Sequence, residues 1–455
     1  MNRTLSDFAQ VCGGLLHGDD QSFAGVSSDT RTIGQGELFV ALRGPRFNAN
    51  EFLHAAHSAG AAGALVDSVQ NVPLSQIVVH DTQAALERIS HAWRNQFSIP
   101  LVGVAGSNGK TTAKEMTATI LSRAGNCLAT RGNLNNHIGV PLTILRLEAG
   151  NQFAVVEMGA NRGGEVAALV RIARPTVGLI TNAGAEHLEG FGSLEGVARA
   201  EGEMVEGLAS DATAVINADD EFAGMWRSLT SARVVTFGVQ KKADFAASDI
   251  RTTLDADGFV THFTLASPIG KAAVELKMGG RHNVSNALAA AAAASAAGAT
   301  LQHVVAGLAA VRAVPGRLQF KKAARGAWLI DDSYNANPSS MRAGIDVLAE
   351  LEGRKWLVLG DMAELGDYSN SAHAEIGTYA REHGIERLYA TGPLSVLAVE
   401  SFGAGAKWFP DSQSLAQALG VASPDVRMLI KGSRVNRLER VVDALVSATT
   451  KTGGA

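Results

Sequence analysis

The sequence lacks several features that would point to particular classes of protein. It has two cysteines, Cys12 and Cys127, which are far apart and lack metal-site spacing, as suits a reducing cytosol. Its 40 basic and 44 acidic residues give a net charge of −4, so nothing electrostatic predicts a nucleic-acid partner. The start of the chain lacks the long apolar core of a signal peptide, and the alanine-rich run at 287–299 is too short to span a membrane. We therefore predict a globular, cytoplasmic protein with no membrane span and no nucleic acid bound.

The length of the chain predicts several domains. At 455 residues it exceeds the size at which a single hydrophobic core keeps growing. Residues 1 to about 82 mix short strand-like runs with one helix-like run. From about residue 99, apolar strands alternate with glycine turns and helices, and the rhythm resumes after a Pro-Gly turn near 312–320. Apolar strands alternating with helices predict an α/β fold with parallel sheets.

The segment LVGVAGSNGKTTAKEM (101–116) carries the strongest local signal. An apolar strand leads into a glycine-rich turn ending at Gly109, followed by Lys110, Thr111 and a helix. Glycines let backbone amides surround a phosphate, the lysine reaches the terminal phosphates and the hydroxyl holds Mg²⁺. The spacing is not the usual G-x-x-x-x-G-K-[ST], because Val104 occupies the first glycine position. The alternative is a glycine turn that only caps a helix, but the order of the elements favours phosphate binding.

Polar side chains also follow other predicted strands at their carboxyl ends, where open α/β sheets bind ligands. Glu157 ends a buried strand, where it could contact Mg²⁺ or only cap the next helix. Asn182 and His187 follow another strand, and the histidine is either structural or a ligand. The absence of an N/T-K-x-D guanine signature disfavours a GTPase switch.

Two further polar pairs have both a local and a ligand-binding interpretation. Asn283 and Asn286 begin an alanine-rich helix, where they could cap the helix or contact a base edge. Asp331 and Asp332 end a strand, where they suit ribose hydroxyls or simple turn formation.

The stretch LEGVARAEGEMVEGL (194–208) places an acid on an apolar helix face. Ser193 is the predicted N-cap, and at 100° per residue Glu201 lies in the middle of the apolar stripe. Glu203 points the opposite way and is expected to be solvated. A carboxylate on an apolar face costs free energy unless something positive meets it, which leaves a metal ion or a buried ion pair with Lys or Arg.

Together these motifs resemble the Mur ligases, ATP-dependent enzymes that form amide bonds in peptidoglycan synthesis. The resemblance is carried by GSNGKTT, TRGNLNNHIGVPLT, EMGANRGGE, TNAGAEHLEGFGS, INADD, GRHNVSNALAAAA, PGRLQ, DDSYNANPSSM, LGDMAELG and IKGSR, in order from about residue 27 to 440. Within the family, SYNANP, GDMAELG and HLEGFGS are similar to the member that adds D-alanyl-D-alanine to UDP-N-acetylmuramoyl-tripeptide.

The resemblance implies three domains in a monomeric, cytoplasmic enzyme. These are a small α/β UDP-sugar-binding domain at 1–82, a central ATP-binding domain with a mostly parallel sheet at 83–313, and a Rossmann-like α/β domain at 314–455. The implied cofactors are ATP and Mg²⁺. The implied reaction activates the tripeptide carboxylate as an acyl phosphate, which the amine of D-alanyl-D-alanine then attacks.

The resemblance also implies roles for residues that match family motifs. Nucleotide binding falls to Gly106, Ser107, Asn108, Gly109, Lys110, Thr111, Thr112, Asn283, Asn286, Arg317 and Asp332. Substrate binding falls to Ser28, Asp29, Thr30, Arg31, Asn135, Asn136, Lys431 and Arg434. The catalytic residues would be Lys110, Glu157, His187 and Glu201, and the metal ligands Thr111, Glu157, His187 and Glu201.

Residue 201 departs from the family pattern. Many Mur ligases carry a lysine there, which CO₂ converts to a carbamate that supports a second Mg²⁺. Because glutamate is already a carboxylate, on a shorter arm, we predict that Glu201 replaces the carbamylated lysine, through a bridging water or a slightly shifted helix. Loss of that lysine also leaves open a catalytically silent nucleotide-binding module, although the intact Lys110, Thr111, Glu157 and His187 disfavour it. The other alternative is a related ligase, namely a diaminopimelate- or lysine-adding Mur enzyme or a folylpolyglutamate synthase.

Overall fold

A computed structural model describes residues 3–44 and 47–447 of the chain. Three main sheets of five, nine and six strands follow one another along the sequence. The predicted α/β class is therefore confirmed. The expected domain boundaries near residues 82 and 313 stay predictions. Every helix in the described part of the chain is too short or too polar to cross a bilayer.

The first sheet has the strand order β1-β7-β6-β3-β2, parallel except for β1. The strands of this region, which include a separate β4–β5 hairpin, are β1 Leu15–His17, β2 Val26–Ser27, β3 Leu38–Val40, β4 Arg43–Gly44, β5 Phe47–Asn48, β6 Gly63–Val66 and β7 Gln76–Val78. The helices are α1 Leu5–Cys12, α2 Leu53–Ser58 and α3 Thr82–Arg94. Thr4 caps the start of α1, and Gly13 ends it with a φ of 70° that favours glycine.

The second sheet has the order β16-β15-β14-β13-β12-β11-β8-β10-β9. Its strands are β8 Leu101–Ala105, β9 Cys127–Ala129, β10 Phe153–Glu157, β11 Val177–Ile180, β12 Thr213–Asn217, β13 Arg233–Gly238, β14 Phe245–Asp255, β15 Gly258–Ser267 and β16 Gly270–Leu276. The helices are α4 Lys110–Leu121, α5 Gly139–Ile144, α6 Glu165–Ala173, α7 Leu188–Phe191, α8 Leu194–Glu206, α9 Ala223–Ser228, α10 Arg281–Ala296 and α11 Leu301–Ala310.

The strands from β9 to β14 pair in parallel, as the apolar strand pattern predicted. The antiparallel extension through β15 and β16 was not predicted. Its side chains alternate between buried and exposed, so no long apolar run marks it. The alanine-rich α10 is a buried helix, as expected, and its small side chains allow it to pack closely on α4 and the sheet.

The third sheet has the order β17-β18-β22-β19-β20-β21 and is parallel except for β17. Its strands are β17 Gln319–Lys322, β18 Trp328–Asp332, β19 Arg354–Gly360, β20 Arg387–Thr391, β21 Ala406–Phe409 and β22 Val426–Lys431. The helices are α12 Pro338–Ala349, α13 Ser369–Glu382, α14 Ser395–Phe402, α15 Ser412–Leu419 and α16 Glu439–Ser447. The carboxyl ends of β18 and β22 face those of β8, β10 and β11 across a cleft.

Candidate active site

The cleft between the second and third sheets is a cavity of about 600 Å³. The predicted site residues that line it are Ser107, Asn108, Gly109, Lys110, Thr111, Thr112, Asn135, Glu157, His187, Asn283, Asn286, Arg317, Asp332 and Lys431. Hydrogen bonds cross the cleft, from Asn337 Nδ2 to Asn108 Oδ1 at 2.8 Å and from Arg317 Nη2 to Thr111 Oγ1 at 3.2 Å. The two walls therefore lie against each other in this structure.

The loop between β8 and α4 is held tightly from behind. The amide of Gly106 donates to Glu201 Oε2 at 2.6 Å, and Asn182 accepts the amides of Ser107 and Asn108 at 2.8 and 3.0 Å. A Cβ on Gly109, where φ is 81°, would lie 2.3 Å from Asn286 Oδ1. The first amides of α4 have no intrahelical acceptor and border the cavity, so the helix start is the part of the loop that can bind an anion.

Lys110 folds back onto the loop that precedes it. Its Nζ donates to the carbonyl of Gly106, to the carbonyl of Ser107 at 2.9 Å and to Glu186 Oε1 at 3.2 Å. Burial acts to lower the pKa of Lys110, but Glu186, Glu201 and Glu157 outweigh it and raise that pKa above the ordinary value. The lysine is therefore charged and lies in strongly negative surroundings.

Glu157 lies at the end of β10 with one unsatisfied oxygen. Its Oε1 accepts from Thr111 Oγ1 at 3.2 Å and from Asn135 Nδ2 at 2.9 Å. Its Oε2 is buried without a hydrogen-bond partner among the described residues. A buried carboxylate oxygen without a donor is costly, and a hard cation beside the Thr111 hydroxyl would satisfy it. The donors present thus fit Mg²⁺.

His187 reaches across the cleft to the third sheet's side. Its Nδ1 lies 2.6 Å from Glu364 Oε2. Both residues have left-handed backbones, with φ of 48° and 64°, which non-glycine residues rarely adopt without a functional or structural reason. The described residues hold no cluster of three or more His, Cys, Asp or Glu side chains that could bind a metal. Any Mg²⁺ here would rely on few protein ligands, as this ion commonly does when phosphates and water complete its shell.

Glu201 is buried in α8, as its helical phase predicted, and is 3% exposed. Its partner is the Gly106 amide behind the loop, so neither Glu201 nor Gly106 borders the cavity. Burial raises the pKa of Glu201 to about 7, against the lowering effect of Lys110. The predicted Ser193 N-cap is present, with its hydroxyl accepting the Gly196 amide at 3.0 Å.

The expectation that Glu203 is merely solvated was wrong. Its Oε1 and Oε2 accept the amides of Gly164 and Ala167 at 2.6 and 2.9 Å. These amides belong to the start of α6, whose orphan donors and dipole favour a carboxylate. Helical phase showed correctly that Glu203 points away from the apolar stripe, but it carried no information about the neighbouring helix.

On the opposite wall of the cleft, the charged side chains of Arg317, Asp332 and Lys431 each have a partner. Lys431 Nζ contacts Asp332 Oδ2 at 2.7 Å and the carbonyl of Asn335 at 2.9 Å. The guanidinium of Arg317 lies 4.5 Å from the centre of the Tyr334 ring. Asp331 points away from the cavity and pairs with Lys321 at 2.8 Å. Of the two acids at this strand end, Asp332 is therefore the one that a ligand in the cleft can reach.

The remaining predicted residues lie outside the cavity. Asn136 accepts the amides of Ile138 and Gly139 before α5, and Arg434 pairs with Glu439 at 3.2 Å. The predicted sugar-binding residues are in the first sheet's region and do not border the cleft; these are Ser28, Asp29, Thr30 and Arg31. There the Arg31 guanidinium binds the Asp29 carboxylate and lowers its pKa to about 2.

Sequence reasoning missed several residues that line the cleft. Glu186 pairs with Lys110, although its place directly before His187 after β11 was a usable signal. Asn337 caps α12 and reaches Asn108, and only its Asn-Pro context marked it as a helix start. Burial lowers the pKa of His282, which follows a glycine pair at the start of α10.

Comparison with known proteins yields similar proteins over nearly the whole chain. Residues 104–294 match the Mur ligase middle domain, and residues 316–434 match the Mur ligase, glutamate ligase domain. The UDP-N-acetylmuramoyl-tripeptide--D-alanyl-D-alanine ligase of Escherichia coli (strain K12) is 44% identical over 97% of this chain and 98% of its own length. That of Bacillus subtilis (strain 168) is 34% identical over 98% and 99%.

Solved structures give the same result. A crystal structure of MurF from Acinetobacter baumannii superposes with a TM-score of 0.90 at 33% identity, covering 97% of this chain and 98% of that one. The MurF ligase of Thermotoga maritima in complex with ADP gives a TM-score of 0.82 at 26% identity, covering 94% and 98%.

Proposed function

The chain belongs to the Mur ligase family, and we propose that it joins D-alanyl-D-alanine to the carboxylate of UDP-N-acetylmuramoyl-tripeptide, converting ATP to ADP and phosphate. The cytoplasm is the proposed site of this reaction. The observation that carries the proposal is the cleft itself, which sets the start of α4 and Lys110 opposite the Asp332–Lys431 pair. A nucleotide lying between these walls would have its phosphates at α4 and its ribose at Asp332.

In the proposed mechanism, the first step is phosphoryl transfer to the tripeptide carboxylate. Two anions must approach each other, so the residues that matter most are those that neutralise and orient charge. Lys110 would exchange its contacts with the loop carbonyls for the β- and γ-phosphates, while the amides of α4 hold the same groups. Arg317 contacts Thr111 across the cleft and would bring a second positive charge to the phosphates.

Mg²⁺ fits beside Thr111 and the unpaired Oε2 of Glu157, and His187 would serve a second ion once released from Glu364. When bound, the ions supply charge neutralisation at the phosphates. Asn135, already hydrogen-bonded to Glu157, would orient the substrate carboxylate beside them. The acyl phosphate is then attacked by the dipeptide amine, and the resulting tetrahedral intermediate releases phosphate.

We propose that the residues outside the centre of the cleft have the roles that the family motifs imply. Ser28, Asp29, Thr30 and Arg31 would hold the UDP-sugar, and Asn136 would approach its peptide. Lys431 and Arg434 would meet the substrate near the cleft after closure. Asn283 and Asn286 would lie near adenine, since both line the cleft beside α4.

In this proposal, Glu201 replaces the carbamylated lysine in supporting the second Mg²⁺, and it needs no CO₂ to do so. Its carboxylate is buried near Lys110 and accepts the Gly106 amide. This position supports an influence of Glu201 on the metal site that passes through the glycine loop or through a bridging water. Direct contact with a metal is less favoured by its position behind the loop.

The test is phosphate release with defined substrates. Release is expected only when ATP, UDP-N-acetylmuramoyl-tripeptide and D-alanyl-D-alanine are all present. Replacing the dipeptide with diaminopimelate, lysine or glutamate should abolish it, since those acceptors would identify a related ligase. No release with the complete set would support a silent nucleotide-binding module and overturn the proposal.

A further inference from the structure

A second cavity lies within the third sheet's region, separate from the cleft. Its volume is about 660 Å³, within the range of small-molecule sites. It is bounded by α15, α16, strands β18 and β22, and the loop between β17 and β18. None of its lining residues borders the cleft, so the proposed ligase reaction makes no use of it.

The cavity exists because the positions facing it carry small apolar side chains. Ala416 on α15 and Ala444 on α16 line it from the helices, and Ala323 and Ala324 line it from the loop. The loop is tied to α16 by a hydrogen bond from the Ala324 amide to the Leu445 carbonyl at 3.0 Å. The alanines therefore leave an open space between the loop and the two helices, and the polar side chains on α15 that also line it are Ser412, Gln413 and Gln417.

The base of the cavity is apolar as well. Leu419, Met428 and Leu329 line it and belong to the buried core between the helices and the sheet. A polar ligand body placed there would lose hydrogen bonds to water without replacing them. An apolar body would instead gain from leaving water.

Two arginines give this apolar space a positive border. Arg325 on the loop and Arg440 on α16 both line the cavity and are exposed. Neither side chain has an ion pair or hydrogen bond with another residue in the described ranges 3–44 and 47–447. Among the described lining residues the carboxylate is that of Asp411, which is engaged in capping α15 through the Ser414 amide at 2.7 Å.

We propose that this cavity binds a single-chain amphiphile with an anionic head, of which a medium-chain fatty acid is the simplest form. The chain would occupy the space between Ala416 and Ala444, and the head would meet Arg325 and Arg440, which can each form charge-assisted hydrogen bonds to it. The chain's own last segment, ATTKTGGA (448–455), is a poor occupant by composition. It offers no large apolar side chain, and Lys451 has the same charge as the two arginines.

The test is calorimetric titration of the full chain with dodecanoate, below the concentration at which it forms micelles. Saturable binding of one molecule per chain is expected. Dodecyltrimethylammonium, which has the same tail and a positive head, should not bind, and neither should acetate, which has only the head. Equal binding of the two dodecyl compounds would overturn the proposal, as would no binding of dodecanoate.

Variants locate the site. Arg325→Ala combined with Arg440→Ala should weaken dodecanoate binding by about tenfold or more, since two charge-assisted contacts are lost. The matched control is Arg123→Ala with Arg227→Ala, two exposed arginines in the second sheet's region, just after α4 and on α9, and this variant should bind as the wild type does. Equal effects of the two double variants would contradict the site.

A further variant tests the apolar part. Ala444 is an exposed helical position, so Ala444→Phe should fold, as a thermal melt can verify, and its ring should fill the cavity and abolish binding. Unchanged binding in this variant would place dodecanoate elsewhere. Ligase activity without dodecanoate should be unchanged in all these variants, so the outcome here is independent of the proposed function.

Discussion

The cleft has two walls that carry the same kinds of charged side chain but balance them differently. On the wall formed by the second sheet, Lys110 is surrounded by Glu157, Glu186 and Glu201. One lysine thus faces three buried carboxylates, and Oε2 of Glu157 has no partner among the described residues. Uncompensated buried charge is costly, so this wall is built to receive cations.

On the wall formed by the third sheet, the acid that borders the cleft and the acid directly behind it each pair with a lysine. Asp332 pairs with Lys431 at 2.7 Å, and Asp331 pairs with Lys321 at 2.8 Å. This wall is complete without a ligand. The comparison suggests that the unbalanced wall performs the chemistry, whereas the balanced wall binds and orients. Substitutions on the first should then change kcat, and those on the second should change KM.

The most severe test of this contrast is Lys110→Met. It removes the central cation of the unbalanced wall and the group proposed to reach the phosphates, so we expect kcat/KM to fall by about 10²–10³-fold in the phosphate-release assay. Lys277→Met, at an exposed position directly after β16, is the control and should retain activity. If the Lys110→Met enzyme keeps most of its rate, the hypothesis that this wall performs the chemistry is wrong.

Glu157→Gln tests whether the unpaired oxygen on this wall serves Mg²⁺. The amide keeps the shape but loses the charge, so activity should fall by about 10–100-fold and the Mg²⁺ concentration for half-maximal rate should rise. Calorimetry of Mg²⁺ with a nonhydrolysable ATP analogue should show the same weakening. Glu275→Gln, an exposed acid on β16, should leave both unchanged. An unaltered Mg²⁺ requirement in Glu157→Gln would refute the assignment.

Variants of the neighbouring acids Glu201 and Glu203 distinguish the effect of a charge near the active site from the effect of a helix cap. Glu201→Gln can still accept the Gly106 amide but loses its charge, so we expect the rate to fall about tenfold with altered Mg²⁺ dependence. Glu203→Gln should keep the rate and lose about 1 kcal/mol of stability, because Glu203 caps α6. Stability is read from urea unfolding.

Added bicarbonate completes this test of Glu201. The wild-type rate should not respond to it, because a glutamate carboxylate needs no CO₂. A steep rise with bicarbonate would show that a carbamylated lysine elsewhere supplies the charge. An unchanged rate and metal dependence in Glu201→Gln would equally end the substitution hypothesis.

The unbalanced wall was largely predictable from the sequence, because its residues act through local patterns. A strand, a glycine turn and Lys110-Thr111 appear in one continuous segment, and the burial of Glu201 follows from helical phase. Local patterns do not identify the hydrogen-bond partners of these side chains. The Gly106 amide lies 95 positions from Glu201, and the cap that Glu203 forms on α6 lies 36 to 39 positions away.

The contacts between the walls could not be predicted from the sequence, because their partners are also far apart along the chain. The Asn108–Asn337 hydrogen bond joins residues separated by 229 positions, and the His187–Glu364 pair depends on how two sheets approach each other. The polar ends of individual strands were predictable, but which ends meet is set by packing between domains. The antiparallel extension through β15 and β16 was missed because its strands alternate buried and exposed side chains and so contain no long apolar run.

Asp332→Asn probes the balanced wall, where a smaller effect is expected. We predict that KM for ATP rises by about tenfold with kcat little changed, because one hydrogen-bonding charge at the proposed ribose position is lost. The adjacent Asp331→Asn is a matched control, since Asp331 does not border the cleft. It should leave KM for ATP unchanged. A fall in kcat for Asp332→Asn would contradict the assignment of binding, and not chemistry, to this wall.

The smallest effect is expected from His373, which lies in α13 and contacts the loop after β19 in the third sheet's region. Its Nε2 accepts the Met362 amide at 2.9 Å and its Nδ1 contacts the Ser369 carbonyl at 2.6 Å, so the neutral ring holds the loop after β19. Burial lowers the pKa of His373 below its ordinary 6.5, so on acidification the unfolded chain binds the proton first and stability falls as the pH drops below about 6.5. Wild-type protein should therefore lose about 1 kcal/mol more than His373→Gln when urea unfolding is compared at about pH 7.5 and about pH 5.5. Equal losses in the two proteins would show that the ring is not held neutral in the folded protein.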